Sequence, residues 1–116
     1  MEIRELRQAL TAALRARDGV AVSALRSALA AIENAGAVDP AQAPQADSGP
    51  IAGAVAGLGA GEVPRRSLGP DELRALVGAE VEHRRTAARE YAELGRPDQA
   101  ERLRAEADVL AVYLRS

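Results

Sequence analysis

The chain is 116 residues long and 47% hydrophobic, with no Cys, Phe or Trp and a formal net charge of -2. This length fits one domain with a modest core. The absent cysteines exclude disulfides and thiolate metal sites, and the charge argues against a generic polyanion binder, whose affinity comes from clustered positive charge, while leaving room for a local basic patch. Every basic residue other than His83 is Arg, so there is neither a Schiff-base nor a Walker lysine. Tyr91 and Tyr113 are the only aromatics. A core made of Leu, Val, Ile and Ala suits close helix packing better than a β-sandwich.

Ile3, Leu6, Leu10 and Leu14 recur at helical spacing, so a first helix is predicted from Glu2 to Arg17. Asp18-Gly19 breaks the pattern, with Gly19 the expected stop and Asp18 the N-cap of the second helix. Val22, Leu25, Leu29 and Ile32, flanked by Ala21, Ala24, Ala28 and Ala31, form the stripe of that second helix, from Val20 to Ala35. So short a connection makes the two an antiparallel hairpin.

From Ala37 to Gly69 the periodicity vanishes. Pro40, Pro44, Pro50 and Pro64 are scattered through this stretch, and glycines crowd its middle. Residues 39–50 read as linker, and the more apolar stretch Ile51 to Val63 as a candidate contact element. Pro70-Asp71-Glu72 then opens a third helix carrying Leu73, Leu76, Val77, Val81, Ala88 and Tyr91, and Leu94-Gly95 closes it. Arg96-Pro97-Asp98 starts a fourth, with Ala100, Leu103, Ala107, Leu110 and Leu114 on its stripe and Arg102–Glu106 and Arg104–Asp108 as i,i+4 pairs on its wet side. The expectation is a single all-α domain over 1–116. Two antiparallel helical hairpins, 2–36 and 70–115, are joined by a long Gly/Ala/Pro-rich loop, 37–69.

No apolar run approaches the roughly 20 residues that span a bilayer. The charged start Met1-Glu2-Ile3-Arg4-Glu5 does not read as a signal peptide. A cytoplasmic address without membrane contact is expected.

No catalytic constellation emerges. Gly57-Leu58-Gly59-Ala60-Gly61 has the wrong spacing for a dinucleotide fingerprint, with Glu62 where glycine would stand and no strand–turn–helix around it. His83 lacks a nucleophile or a second ligand and reads as a surface histidine. Glu80, Glu82, Glu90 and Glu93 read as a charged helix face. No metal or cofactor is expected. The arginines are more suggestive. Arg65-Arg66 precede a helix start, whose dipole favours anions, and Arg84, Arg85 and Arg89 are expected to point outward from the middle of the same helix. Together they form a candidate phosphate-binding surface, with ion pairing to neighbouring carboxylates as the competing reading.

The run Asp18-x-Val20-x-Val22-Ser23-x-Leu25-Arg26-x-x-Leu29-Ala30-Ala31-Ile32-x-Asn34-Ala35 resembles the second helix of the GatB/YqeY domain family. Glu80-Val81-x-His83-Arg84-Arg85, continuing through Tyr91-x-x-Leu94-Gly95-Arg96-x-Asp98-x-Ala100 to Tyr113-Leu114, is similar to its next two helices. The family is named for a bacterial protein and for the C-terminal part of the B subunit of the glutamine-dependent amidotransferase that matures misacylated tRNA. In that enzyme the helical appendage serves tRNA handling, and carbon–nitrogen ligation resides in other domains.

The resemblance therefore implies a non-catalytic module whose partner is tRNA or a tRNA-handling protein. Relatives usually continue past the Tyr-Leu into a small helical subdomain implicated in tRNA contact, whereas this sequence ends at Ser116. The loop through Gly57 to Arg66 resembles that of short actinobacterial members. The rival expectation is a protein–protein adaptor or self-associating domain, a homo-oligomer included, that makes contact through residues 51–66.

Overall fold

A computed structural model of the protein describes residues 1–37 and 67–115. The described residues form four helices and no strand: α1 (Ile3–Ala16), α2 (Gly19–Gly36), α3 (Pro70–Glu93) and α4 (Pro97–Leu114). The expected all-α class is therefore observed. The segment expected to link the hairpins lies mostly outside the described residues.

Local chemistry sets the helix ends. The backbone N–H of Glu2 donates to Glu5 Oε1 at 2.9 Å, and that of Gly69 to Glu72 Oε1 at 3.3 Å. In each case a first-turn carboxylate satisfies a donor that the helix leaves unpaired. Asp18 is the N-cap of α2, its Oδ1 accepting from the Ala21 N–H at 3.1 Å. Proline at the first position of α3 and of α4 has no N–H to lose and a pre-set φ.

Both hairpin turns end their helix in a Schellman arrangement. After α3, the Arg96 N–H donates to Tyr91 O at 2.9 Å and the Gly95 N–H to Ala92 O at 3.1 Å, with Gly95 at φ 75. After α1, Asp18 N–H to Ala13 O and Arg17 N–H to Leu14 O form the same pattern. The left-handed residue there is Arg17, at φ 57. The predicted stop at Gly19 is thus corrected: Gly19 is already the first residue of α2, and the two-residue connection leaves Arg17 to make the reversal.

The groove that holds Ile3 and Arg7 also holds Ile32 and Gly36, so α1 and α2 run antiparallel. The α3–α4 pair is antiparallel too, since Arg74 donates to Leu114 O and Arg84 pairs with Glu106. One core cluster joins all four helices. It draws Leu6 and Ala13 from α1, Leu25, Leu29 and Ile32 with three alanines from α2, Leu73, Val77 and Val81 from α3, and Ala107, Leu110 and Ala111 from α4. Helix α2 packs against each of the other three. Its alanine edges bring neighbouring backbones close without large side chains.

Leu14 departs from its predicted place in the stripe. It is 46% exposed, and Ala13 is buried instead. Two successive gaps of four residues from Leu6 rotate the face by about 80°, whereas a four followed by a three returns almost to the starting azimuth. Ala88 and Ala100 are also buried but stand outside the main cluster, toward the Gly95 turn. Among the described residues, no helix is long and apolar enough to cross a membrane.

Candidate phosphate-binding face

The antiparallel register of α3 and α4 sorts the predicted arginines into two roles. Arg84, expected to face outward, turns into the helix interface with its side chain only 12% exposed. Its Nη1 donates to Glu80 Oε1 at 2.8 Å and to the Glu80 carbonyl at 3.3 Å, and its Nε to Glu106 Oε1 at 3.0 Å. Arg102 Nε reaches the other Glu106 oxygen at 3.2 Å. On the far side, Ser27 Oγ of α2 donates to Glu80 Oε1 at 2.7 Å. A polar chain thus ties α2 to α3 and α3 to α4. Glu106, expected on the wet side of α4, is buried at 6% exposure because Arg84 meets it across the seam.

Burial alone would raise the Glu80 carboxyl. The hydrogen bonds from Ser27 and Arg84, with the charges of Arg84 and His83, outweigh it and hold Glu80 below its usual value of 4.5. A carboxyl depressed in the folded state stabilises fully above its unfolded pKa, and that stabilisation is lost as pH falls through the folded value. Removing the Ser27 hydroxyl is therefore expected to cost about 1 kcal/mol at neutral pH. The difference between Ser27→Ala and wild type should shrink below the ordinary carboxylate range as Glu80 protonates. Urea unfolding at a series of pH values would read this out, and a pH-independent difference would contradict it.

Arg85 and Arg89 remain at the surface. With Arg104 and Asp108 of α4 they line an open cleft of about 250 Å³. Arg85 Nη1 lies 3.6 Å from Glu82, Arg104 Nη1 lies 3.4 Å from Glu101, and Arg89 Nη2 donates to Thr86 Oγ1 at 3.2 Å. Glu82 and Glu101 are 70% and 80% exposed, so these are weak surface pairs that a phosphate can displace. Arg104 belongs to the cluster although the sequence pattern assigned it to Asp108. The signal was the hairpin register, which sets residues 84 and 106 opposite each other, so Arg104 falls within one position of the place opposite Arg85 and the two line one cleft. The remaining predicted members, Arg65 and Arg66, lie outside the described residues.

Two further concavities accompany this cleft. One, of about 240 Å³, is lined by Tyr91, Gln99, Arg102, Leu103 and Glu106. The other, of about 290 Å³, has an apolar floor of Ile3, Ile32, Leu68 and Leu73, with Arg7 and Glu33 among its lining residues. His83 is exposed. Among the described residues, no group of three or more His, Cys, Asp or Glu is placed to hold a metal ion. Compared with family models, with curated proteins and with solved structures, the chain finds no match.

Proposed function

We propose that this protein is a non-catalytic helical binding module of the GatB/YqeY type that engages RNA, tRNA foremost, by its phosphates. The observation that supports this reading is the convergence of Arg85, Arg89 and Arg104 from two helices on one open cleft, where Asp108 is the single carboxylate among the described lining residues. Guanidinium groups present forked donors that match phosphate oxygens, and their partners among the described residues are displaceable surface groups. Arg84 supports the face indirectly by holding α3 against α4, which fixes the spacing of the three arginines. In this reading a cytoplasmic chain acts beside tRNA or a tRNA-handling protein, with the carbon–nitrogen ligase chemistry of the family name carried by other domains.

The test is a mobility shift with bulk tRNA on the full chain. Binding is expected to weaken by about tenfold or more between roughly 50 and 200 mM salt, since each phosphate contact releases counterions. The triple variant Arg85→Glu, Arg89→Glu, Arg104→Glu should abolish it, while circular dichroism keeps its helical signal. Binding that ignores both salt and the triple variant would overturn the reading. It would favour the adaptor alternative, in which apolar contact does not weaken as salt rises.

A further inference from the structure

We propose that the second cleft of the α3–α4 hairpin, lined by Tyr91, Gln99, Arg102, Leu103 and Glu106, is a binding site for a single unpaired guanine base. The proposal deepens the RNA reading and rests on it for the macromolecule involved; the base contact itself stands on the cleft's own chemistry. A volume of about 240 Å³ falls below the roughly 300 Å³ at which drug-sized sites begin, so it suits one flat heterocycle. The half-buried Tyr91 and Leu103 give it apolar walls, one of them aromatic. Such a wall is what an unstacked base uses in single-stranded recognition.

Glu106 supplies the selectivity. Its side chain is 8% exposed, and its two oxygens accept from Arg84 at 3.0 Å and from Arg102 at 3.2 Å. A carboxylate has about four lone-pair directions, so two acceptor positions remain on a nearly dry group. Their best complement is a pair of adjacent N–H donors on a planar ring. Guanine offers this pair in N1–H and the N2 amino group. Adenine and cytosine set one amino group beside an acceptor, and uracil has one N–H between two carbonyls. Guanine O6 then needs a donor. Arg102, 57% exposed, uses its Nε on Glu106 and keeps further N–H groups, and the exposed Gln99 adds an amide.

Charge argues against the other planar donor, a partner's arginine side chain. Arg84 and Arg102 already balance Glu80 and Glu106, so a further cation entering the cleft finds no uncompensated negative charge.

The experiment is a ¹H–¹⁵N NMR titration of the full chain with free guanosine, adenosine, cytidine, uridine and N-acetyl-arginine amide in parallel. None of these carries a phosphate, so the outcome is independent of the Arg85–Arg89–Arg104 cleft. Guanosine is expected to produce saturable shifts centred on Tyr91, Gln99 and Arg102 and to bind about tenfold or more tightly than the other nucleosides. Tyr91→Ala should weaken it about tenfold and Tyr91→Phe should hardly change it, as stacking requires the ring and not the hydroxyl. Gln99→Glu, at an exposed position in the first turn of α4, should repel O6 and abolish the guanosine shifts while the helical circular dichroism signal is kept. Equal response to all four nucleosides, no response up to the solubility of guanosine, or preference for the arginine compound would overturn the proposal. If tRNA still bound through the arginine cleft in that case, only the guanine site would fall.

Discussion

Glu106→Ala is expected to destabilise the fold by about 3 kcal/mol, because breaking a buried charged pair leaves its partner's donor unsatisfied away from water. Arg84 is that partner. With its side chain 12% exposed, it would keep Glu80 at 2.8 Å but lose the carboxylate on α4 that its Nε is aimed at. Arg102 is 57% exposed and can return to solvent without cost of that size. The control that identifies the mechanism is the double replacement Arg84→Met, Glu106→Leu. Leu at 106 needs no charge partner, and Met at 84 leaves Glu80 with the Ser27 hydroxyl at 2.7 Å, so the double variant is expected to lose clearly less than the sum of the two single losses. Urea unfolding with linear extrapolation measures all three variants. Additive losses would show that Arg84 and Glu106 act independently and that the chain from Ser27 to Arg102 is not a unit.

Leu110→Ala is expected to cost about 3–4 kcal/mol, within the range for large-to-small changes at sealed core positions. Leu110 is 0% exposed and is one of the few large side chains in a core whose other buried positions are often alanine. A cavity there has small neighbours with little reach to collapse into it. Domains of this size have total stabilities of about 5–15 kcal/mol, so the variant should unfold at a markedly lower urea midpoint with an unchanged slope. Leu14→Ala provides the contrast. Leu14 belongs to the stripe predicted for the first helix but is 46% exposed, so its replacement should stay within about 0.5 kcal/mol of wild type. Equal losses at the two positions would mean that the end of α1 is packed differently from the arrangement described above.

Much of the framework is legible in the sequence because helices are encoded by short-range chemistry. The spacing of Leu25, Leu29 and Ile32, the Asp18 cap, and the prolines at 70 and 97 each act within one or two turns, and all four helices lie within about two residues of their predicted ends. Gly19 and Arg84 are among the positions that depart from this. Gly19 is the expected stop from composition alone, yet Arg17 adopts the left-handed conformation because the Schellman bonds to Ala13 and Leu14 are made at that register. Arg84 reads as part of an outward basic run. Its place in the series Val77, Val81, Arg84, Ala88, with gaps of four, three and four, is nevertheless the signature of a seam position, hidden by its charge.

The candidate site divides along the same line. From sequence alone come an all-α chain built without cysteine or lysine, two pairs of helices, and arginines grouped around residues 84–89, because these depend only on residue identity and helical period. The pairing of Arg84 with Glu106, the burial of that carboxylate, the recruitment of Arg104 beside Arg85 and Arg89, and the cleft beneath Tyr91 depend on how α3 and α4 are registered. That register joins residues more than twenty positions apart through the Gly95 turn. No local pattern specifies which side chains then face each other, so only the packed structure separates the arginines that hold the hairpin together from those left at the surface to meet a partner.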